Sequence, residues 1–572
     1  MVALKEAFKE RKLEEEDKEN PDETLVRKCN KNIELMLDKF LAIYDKDLDY
    51  VQPRLLGSNY KSKKIINGLA YVTHPDWNGG EFPSKAVKVR GKERKLTMEF
   101  NRFREVYTDF SVKLNEKNAN GNYKKDVDEL TGILQKLIRA EFIEIIVSDD
   151  FEAITLFETV NARGQELETS DLLKNNFFKE IHESKWNVVE KEWDIIVENS
   201  TGSGGISRLL KHFYVSRKGS GGSSPPQVLY ENLKSYGKGK ELQLLEEVRE
   251  YSEFYKSINT EPMDEFFKDL KFDLYSNYFS EAKNRRHLFT SIELLRALSV
   301  TQPQPMIFSF FKTFHKLSHD GVSLKKEQHK KIKKFPLMFL RQIEHFHYVN
   351  NGVGERRAND TEILYQKTAK DFFDAKDLDT FKEVLRVFFS NLKKERDSQT
   401  TFVDNFCKKL SYDSGTTIKS MVHYSFQIIE RHHKKMALFK DIFPNSKSTD
   451  VSLDHWADQN DTRDQNYEKI RKDILNDIDP FTQNCKIHSI GNLIPISGDL
   501  NSSLGNLAKK TPHEKSIELP KRPEFPEYII QTLFLDNYKN DFKTWSKKNI
   551  DERNEELANT VFNIIDNEPA NI

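Results

Sequence analysis

Two stretches near the C-terminal end decide how this 572-residue chain is interpreted. They read Val451-Ser452-Leu453-Asp454-His455-Trp456-Ala457-Asp458-Gln459-Asn460 and Ile487-His488-Ser489-Ile490-Gly491-Asn492-Leu493-Ile494-Pro495-Ile496-Ser497-Gly498-Asp499-Leu500-Asn501. Short apolar runs bounded by turn residues are typical of strands, so the pattern predicts two short strands followed by a helix. That arrangement would bring Asp454, His455 and Asn501 together in one small cleft.

These three side chains suit a single-metal phosphodiesterase. Mg²⁺ prefers oxygen ligands and keeps several waters, so one carboxylate and one amide oxygen suffice from the protein. The metal neutralises charge on the scissile phosphate, and a neutral imidazole beside it can take a proton from the attacking water. Taken singly, each of these short motifs is more often structural, because Asn beside Gly is ordinary turn chemistry. Their combination in this order favours a nuclease.

In order and spacing these motifs resemble the HNH (ββα-metal) nuclease signature, and more closely the C-terminal nuclease domain of GmrSD-type, modification-dependent (type IV) restriction endonucleases. The matching residues are Asp454-His455, Gly491-Asn492-Leu493, Leu500-Asn501-Ser502, Asn506 and Lys515. The resemblance implies that Asp454 and Asn501 are metal ligands and that His455 is the general base. Asn492 would brace the loop that aims the histidine, while Asn506 and Lys515 would support the site. Two positions depart from the family pattern, since Trp456 replaces an isoleucine and Asp458 a proline.

A second motif, Asn161-Ala162-Arg163-Gly164, precedes an apolar helical segment that begins near Thr169. Gly164 suits a left-handed helix cap and Thr169 can cap the next helix, so the pattern predicts a helix-turn-helix corner. It also resembles a motif in the N-terminal domain of the same family. That resemblance implies contacts with nucleotide or DNA phosphate, and the matching residues are Asn161, Arg163, Asp171 and Lys174. A purely architectural corner explains the same residues.

The chain opens on an amphipathic helix that carries Val2, Leu4 and Phe8. In the family an Asp-Gly-Gln-Gln-Arg motif linked to nucleotide use stands just before such a helix, and this chain lacks that motif. We therefore expect these apolar side chains to be partly uncovered and the N-terminal lobe to be less stable than the nuclease lobe. We also expect an NTP to act only on a longer polypeptide that contains the missing part.

Composition restricts the class of protein. Lys and Arg number 90 against 91 for Asp and Glu, so a nucleic-acid surface must be a local patch. No apolar run approaches the length of a membrane span, and the N-terminus is not a signal peptide. The three cysteines, Cys29, Cys407 and Cys485, are far apart, which argues against a disulfide framework or a zinc site. The predicted location is the cytoplasm.

The segment between residues 181 and 409 is mainly helical in pattern. It is interrupted by Gly202-Ser203-Gly204-Gly205, which we expect to be a flexible loop. Basic clusters within residues 325–334, at Arg356-Arg357 and from Arg431 to Lys435 are either solvated helix faces or phosphate contacts.

The sequence thus predicts a mainly α, multidomain protein. A mixed α/β remainder of the N-terminal domain is expected over 1–180, a helical connector over 181–409 and an HNH (ββα-metal) nuclease domain over 410–572. The predicted activity is Mg²⁺- or Mn²⁺-dependent DNA cleavage, acting by the resemblance in antiviral defence against modified phage DNA. The alternatives are a non-catalytic nucleic-acid-binding protein and an NTP-dependent sensor subunit of a defence complex. DNA is the predicted partner, no membrane partner is expected, and a homo-oligomer or an upstream partner polypeptide both stay open.

Overall fold

The described part of the chain is mainly helical, as predicted, with six short strands in three separate two-stranded antiparallel sheets. The computed structural model describes residues 2–37, 42–45, 50–53, 86–89, 92–95, 98–140, 168–221, 224–269, 282–319, 332, 334–354, 356–433, 451–460, 464–479, 484–497, 510–522, 525 and 528–568. Among the helices of these residues, none combines the length and the apolar character that a bilayer crossing requires.

Contacts divide the chain into two units, residues 1–146 and 147–572. The predicted three-part division at residues 180 and 409 stays a prediction. The first unit contains four described helices, α1 (Val2–Glu16), α2 (Glu23–Leu35), α3 (Met98–Leu114) and α4 (Val127–Ile138). It also contains two antiparallel strand pairs, β1 (Ala42–Asp45) with β2 (Tyr50–Pro53) and β3 (Ala86–Val89) with β4 (Lys92–Lys95).

The apolar face of α1 is covered, contrary to the expectation from the sequence. Leu4 and Phe8 are buried in a cluster with Leu130 and Leu134 of α4. Arg11 adds a polar connection, because its Nη2 donates to the carbonyl of Leu114 at 2.7 Å. For Leu4 and Phe8 the expectation was wrong because helices more than 100 residues further along the chain supply their partners, whereas Val2 is only partly buried.

The second unit is a large helical body. Its helices before the predicted site are α5 (Thr169–Glu180), α6 (Trp186–Ser200), α7 (Gly205–Lys218), α8 (Pro226–Gly237), α9 (Glu241–Asn259), α10 (Met263–Asp269), α11 (Ala282–Ala297), α12 (Gln304–His319), α13 (Phe335–His347), α14 (Glu362–Asp374), α15 (Leu378–Glu395), α16 (Gln399–Lys409) and α17 (Thr416–His432). Phenylalanines form much of its core, and the Phe310 and Phe339 rings stack with centroids 4.0 Å apart. Aromatic packing of this kind buries large apolar areas.

The described residues of the C-terminal part of this unit form one strand pair and four further helices. The pair is β5 (Val451–His455) with β6 (Leu493–Ser497), and the helices are α18 (Gln465–Leu475), α19 (Pro512–Glu518), α20 (Ile529–Tyr538) and α21 (Lys547–Asn567). Trp456 lies fully buried in the core here and packs edge-on against Phe534, with ring centroids 4.9 Å apart. Trp456, which stands where the resembled motif has isoleucine, therefore lies in the core.

Candidate active site

The predicted strands form and pair as an antiparallel ladder. Asp454 lies opposite Ile494 and His455 lies opposite Leu493. Successive residues of a strand point to opposite faces, and the contacts of these two side chains differ accordingly. Asp454 contacts the helix α19, whereas His455 contacts the turn before β6.

Lys515 on α19 ties that helix to the end of β5. Its Nζ donates to the His455 carbonyl at 2.6 Å and to Asp454 Oδ2 at 3.3 Å. The side chain is only 2% exposed, and it also forms an ion pair with Asp458 Oδ2 at 3.6 Å. A buried ammonium needs such partners. Lys515, predicted from the sequence to support the site, thus contacts Asp454 and the backbone of His455.

The Asp454 carboxylate is partly accessible to solvent. Its side chain is 20% exposed, while partial burial raises the pKa of its carboxyl and the Lys515 ammonium opposes that rise. Asp458, where the family pattern has proline, accepts a hydrogen bond from the Asn460 backbone N–H at 2.8 Å. The departure from the pattern thus adds a second carboxylate beside Lys515.

His455 is buried, and both of its ring nitrogens have partners. Nε2 lies 3.0 Å from His488 Nδ1, and Nδ1 lies 3.4 Å from Gln459 Nε2. An amide nitrogen can only donate, so this arrangement makes Nδ1 the acceptor and places the His455 proton on Nε2, directed at His488. Burial, then the His488 ring and the Lys515 ammonium, lower the pKa of His455 to about 3. The imidazole is therefore neutral at pH 7.

His488 is the functional candidate that the sequence interpretation missed. Its carbonyl accepts from the Tyr412 N–H at 2.8 Å. Burial lowers the pKa of His488, and the carboxylate of Asp413 acts in the opposite direction. A histidine four residues before Asn492, within the stretch that decides the fold, was the available signal. Nothing in the local pattern pointed to Asp413, which lies 75 residues earlier in the chain.

Asn492 holds the backbone just after His455. Its Oδ1 accepts from the Ala457 N–H at 2.8 Å, and its Nδ2 donates to the Ala457 carbonyl at 2.9 Å. The same Nδ2 donates to the Ile487 carbonyl at 2.7 Å, and the Trp545 indole N–H donates to Oδ1 at 3.2 Å. These contacts fit the predicted bracing role, since one fully buried amide connects the segments that carry His455 and His488.

The residue before Asn492 is a glycine because a side chain at this position would clash with α21. A Cβ at Gly491 would lie 2.3 Å from the Ile550 carbonyl oxygen of α21. The Gly491 N–H donates to Asn554 Oδ1 at 2.6 Å, and Arg553 Nη1 donates to the Gly491 carbonyl at 2.9 Å. The Gly-Asn motif therefore joins β6 to α21 by close backbone approach.

Several predicted residues lie away from this site or outside the described residues. Asn501, Asn506, Asn161 and Arg163 lie outside them. Asp171 is exposed in the first turn of α5 and Lys174 is partly buried one turn later. The structure therefore brings together Asp454, His455, Asn492 and Lys515 of the predicted set.

Two of the predicted phosphate contacts are engaged within the protein. Arg431 is nearly buried and pairs with Glu344 at 2.7 Å, and Arg356 pairs with Asp397 at 2.8 Å. Arg431 is thus better described as part of the core than as a DNA contact. Most of the cluster at 325–334 lies outside the described residues.

The donor chemistry of the site fits a hard cation. Asp454 offers a carboxylate oxygen, the donor that Mg²⁺ and Mn²⁺ prefer. Asp458 is buried, and its two oxygens are engaged by Asn460 and Lys515. The Cys485 thiol is directed at the Leu475 carbonyl 3.0 Å away, and burial raises its pKa. Across the part of the chain that the structure describes, no group of three or more His, Cys, Asp or Glu side chains is arranged to hold a metal ion.

The sequence matches no known family model, and no curated protein matches it.

Proposed function

We propose that this chain hydrolyses DNA phosphodiester bonds in a metal-dependent reaction at the site formed by Asp454 and His455. One observation carries the proposal. A neutral, buried imidazole and a partly exposed carboxylate follow one another at the end of β5. His455 contacts the half-buried His488, and Asp454 contacts the buried Lys515. Fixed positions of this kind are what a general base and a metal ligand require.

His455 would act as the proton acceptor. Its Nδ1 faces the Gln459 amide at 3.4 Å, a long contact that a water molecule can replace. With its proton directed at His488, the ring would offer the Nδ1 lone pair to the attacking water. The Asn492 hydrogen bonds to the next turn of backbone would keep the ring from moving away as the proton transfers.

Asp454 would hold the metal, together with Asn501 as the resemblance implies. When bound, Mg²⁺ or Mn²⁺ supplies positive charge to the scissile phosphate and its leaving oxygen. Lys515 would orient the Asp454 carboxylate through Oδ2 and prevent two adjacent carboxylates from repelling each other in the absence of the metal. The DNA substrate, its modification and the defence role are proposed from the family resemblance alone.

One observation favours a second candidate, a nucleic-acid-binding protein without catalysis. The buried Lys515 ammonium already neutralises Asp454, and a fixed internal cation competes with a metal for that carboxylate. In this alternative the chain would bind DNA with no dependence on divalent cations.

Plasmid cleavage by four proteins separates the two candidates. Wild type, His455→Ala, Asp454→Asn and a control, His182→Ala, are assayed with Mg²⁺, with Mn²⁺ and with EDTA. His182 is exposed and precedes α6, so its variant should cleave as wild type does. We expect His455→Ala to lose roughly 10²–10⁴-fold in cleavage rate while DNA binding survives. Asp454→Asn should need more metal and recover partly in Mn²⁺.

Two results contradict the catalytic proposal. One is a near-wild-type rate for His455→Ala. The other is the absence of cleavage by wild type under every metal condition while DNA is still bound, which would support the non-catalytic candidate. Running the assay on plain and on glucosylated or methylated phage DNA tests the proposed substrate separately.

A further inference from the structure

The loop before α7 is the Gly-rich segment Gly202-Ser203-Gly204-Gly205. Gly202, Gly204 and Gly205 adopt φ angles of +80°, +95° and +79°, which are accessible to glycine at no steric cost. The Tyr255 hydroxyl of α9 donates to the Ser203 carbonyl. The loop is thereby attached to α9 and leads directly into the N-terminal turn of α7, whose first backbone N–H groups have no partners within the helix.

A guanidinium group lies over this N-terminal turn. A Cβ at Gly204 would lie 2.6 Å from Arg208 Nη1, so glycine makes room for the Arg208 side chain. The first turn of α7 has no acidic residue, and no side chain caps its N-terminus. Because a cation is unfavourable at the positive end of a helix dipole, the arrangement is suited to an anion that would bind the arginine and the backbone N–H groups together.

A cavity of about 280 Å³ adjoins the loop. Arg208 and Arg296 belong to its wall, and none of its described lining residues is a carboxylate. Arg296 donates to the carbonyls of Ser257 and Ile258 at 2.7 and 2.8 Å, so it contributes mainly charge. The donors available to a ligand therefore include Arg208, the loop and the side chains of Ser299 and Thr301.

Ser203 provides an independent indication of a ligand. This residue lies in the cavity wall and is 9% exposed. Its Oγ is buried without a hydrogen-bond partner among the residues that the structure describes. Buried hydroxyl groups are nearly always hydrogen-bonded, and leaving one unpaired costs free energy. With rotation about its Cα–Cβ bond, the Ser203 hydroxyl could donate to an oxygen of a ligand in the cavity.

The cavity is larger than a single inorganic anion requires. Its volume of about 280 Å³ is many times the share of roughly 30 Å³ that one water takes in the liquid. Apolar side chains of Ile292, Leu295 and Val300 form part of the wall, beside the Asn259 and Gln304 amides, which are hydrogen-bonded to each other at 2.9 Å. A second cavity of about 420 Å³ shares Arg208 with the first. This combination fits an organic group attached to the anion.

We propose that this cavity binds an organic phosphate ester of nucleotide size. The phosphate lies against the Gly204-Gly205 backbone, Ser203 Oγ and the Arg208 guanidinium. The organic part lies along the apolar wall near Asn259. The proposal is independent of the nuclease chemistry at His455.

Isothermal titration calorimetry on the full chain tests it. The probes are each of the four deoxynucleoside 5′-monophosphates, the matching deoxynucleosides and inorganic phosphate. We expect at least one monophosphate to bind, and both its deoxynucleoside and inorganic phosphate to bind at least about tenfold more weakly. Arg208→Gln should weaken binding of that monophosphate by about tenfold or more, because a charge-assisted contact is lost. Ser203→Ala should weaken it several-fold. Lys218→Gln, at the exposed C-terminal end of α7, is the matched control and should leave affinity unchanged.

Short oligonucleotides with a 5′-phosphate or a 5′-hydroxyl distinguish two sources of the same chemistry. If the phosphorylated strand binds more tightly than the monophosphate, the ligand is the end of a DNA strand. If the monophosphate binds more tightly, the ligand is a free nucleotide. Circular dichroism of Arg208→Gln verifies that the variant is folded, and Ser203→Ala provides the test if it is not. The proposal is overturned if no phosphorylated probe binds, if the deoxynucleoside binds as tightly as its monophosphate, or if the folded variants bind as wild type does.

Discussion

Replacing Asn492 by alanine should open the candidate active site locally. The change removes four hydrogen bonds, to the Ala457 N–H, the Ala457 carbonyl, the Ile487 carbonyl and the Trp545 indole. Each hydrogen bond contributes about 1 kcal/mol net, and more when a buried partner stays unpaired. Water entering the space would satisfy part of the loss, so we expect a destabilisation of about 3 to 4 kcal/mol.

Hydrogen exchange measured by mass spectrometry is the appropriate assay, because a protein of this size need not unfold in one step. A loss of about 3 to 4 kcal/mol corresponds to exchange that is roughly 10²–10³-fold faster. The effect should appear in peptides covering 451–460 and 484–497, and in particular at the amide of Ala457. Cleavage should fall as well, since the backbone that positions His455 is no longer held.

Asn466→Ala is the matched control. Asn466 is exposed at the start of α18, so its replacement should change stability by no more than about 0.5 kcal/mol. Exchange in Asn492→Ala that stays within about threefold of wild type in both peptides would show that Asn492 does not hold this site together.

Three further predictions concern buried charge and the metal. Lys515→Met leaves the Asp454 carboxylate without its buried cation, so we expect about 3 kcal/mol or more of destabilisation in urea unfolding. An unchanged unfolding midpoint would contradict a stabilising role for this ion pair. Burial raises the pKa of Glu430 from 4.5 to about 7, opposed by the Ile530 N–H that it accepts at 2.7 Å. The contribution of Glu430 to stability should therefore be greatest below pH 4.5 and fall by about 3 kcal/mol between pH 4.5 and about 7. Glu430→Gln should not show that loss. Urea unfolding of both proteins at pH 5 and pH 8 tests this, and an equal change in the free energy of unfolding for wild type and variant would refute it. Cys485→Ser should leave the cleavage rate and its Mg²⁺ dependence unchanged. A site with oxygen ligands would be contradicted if the protein retained stoichiometric zinc through EDTA dialysis and needed that zinc for cleavage.

Local features of the candidate site could be predicted from the sequence. The strands β5 and β6 and the turn at Gly491-Asn492 follow from short apolar runs bounded by turn residues. The capped start of α19 likewise follows from residues close together, since Thr511 and Glu514 cap each other's backbone groups. These elements depend on hydrogen bonds and side-chain periodicity within a few residues, which the order of amino acids determines directly.

The partners of the site residues were decided by tertiary structure. Lys515 reaches Asp454 across 61 positions of sequence, and His488 reaches His455 across 33. The burial of Phe8 likewise depends on α4, and the conformation of the loop at Ser203 depends on a tyrosine of α9. The sequence by itself determined the strand pair and the turn of the candidate site and that Asp454 and His455 are neighbours. Which side chains meet across those segments depends on how whole helices pack, because burial and ion pairing are set by surfaces assembled from distant parts of the chain.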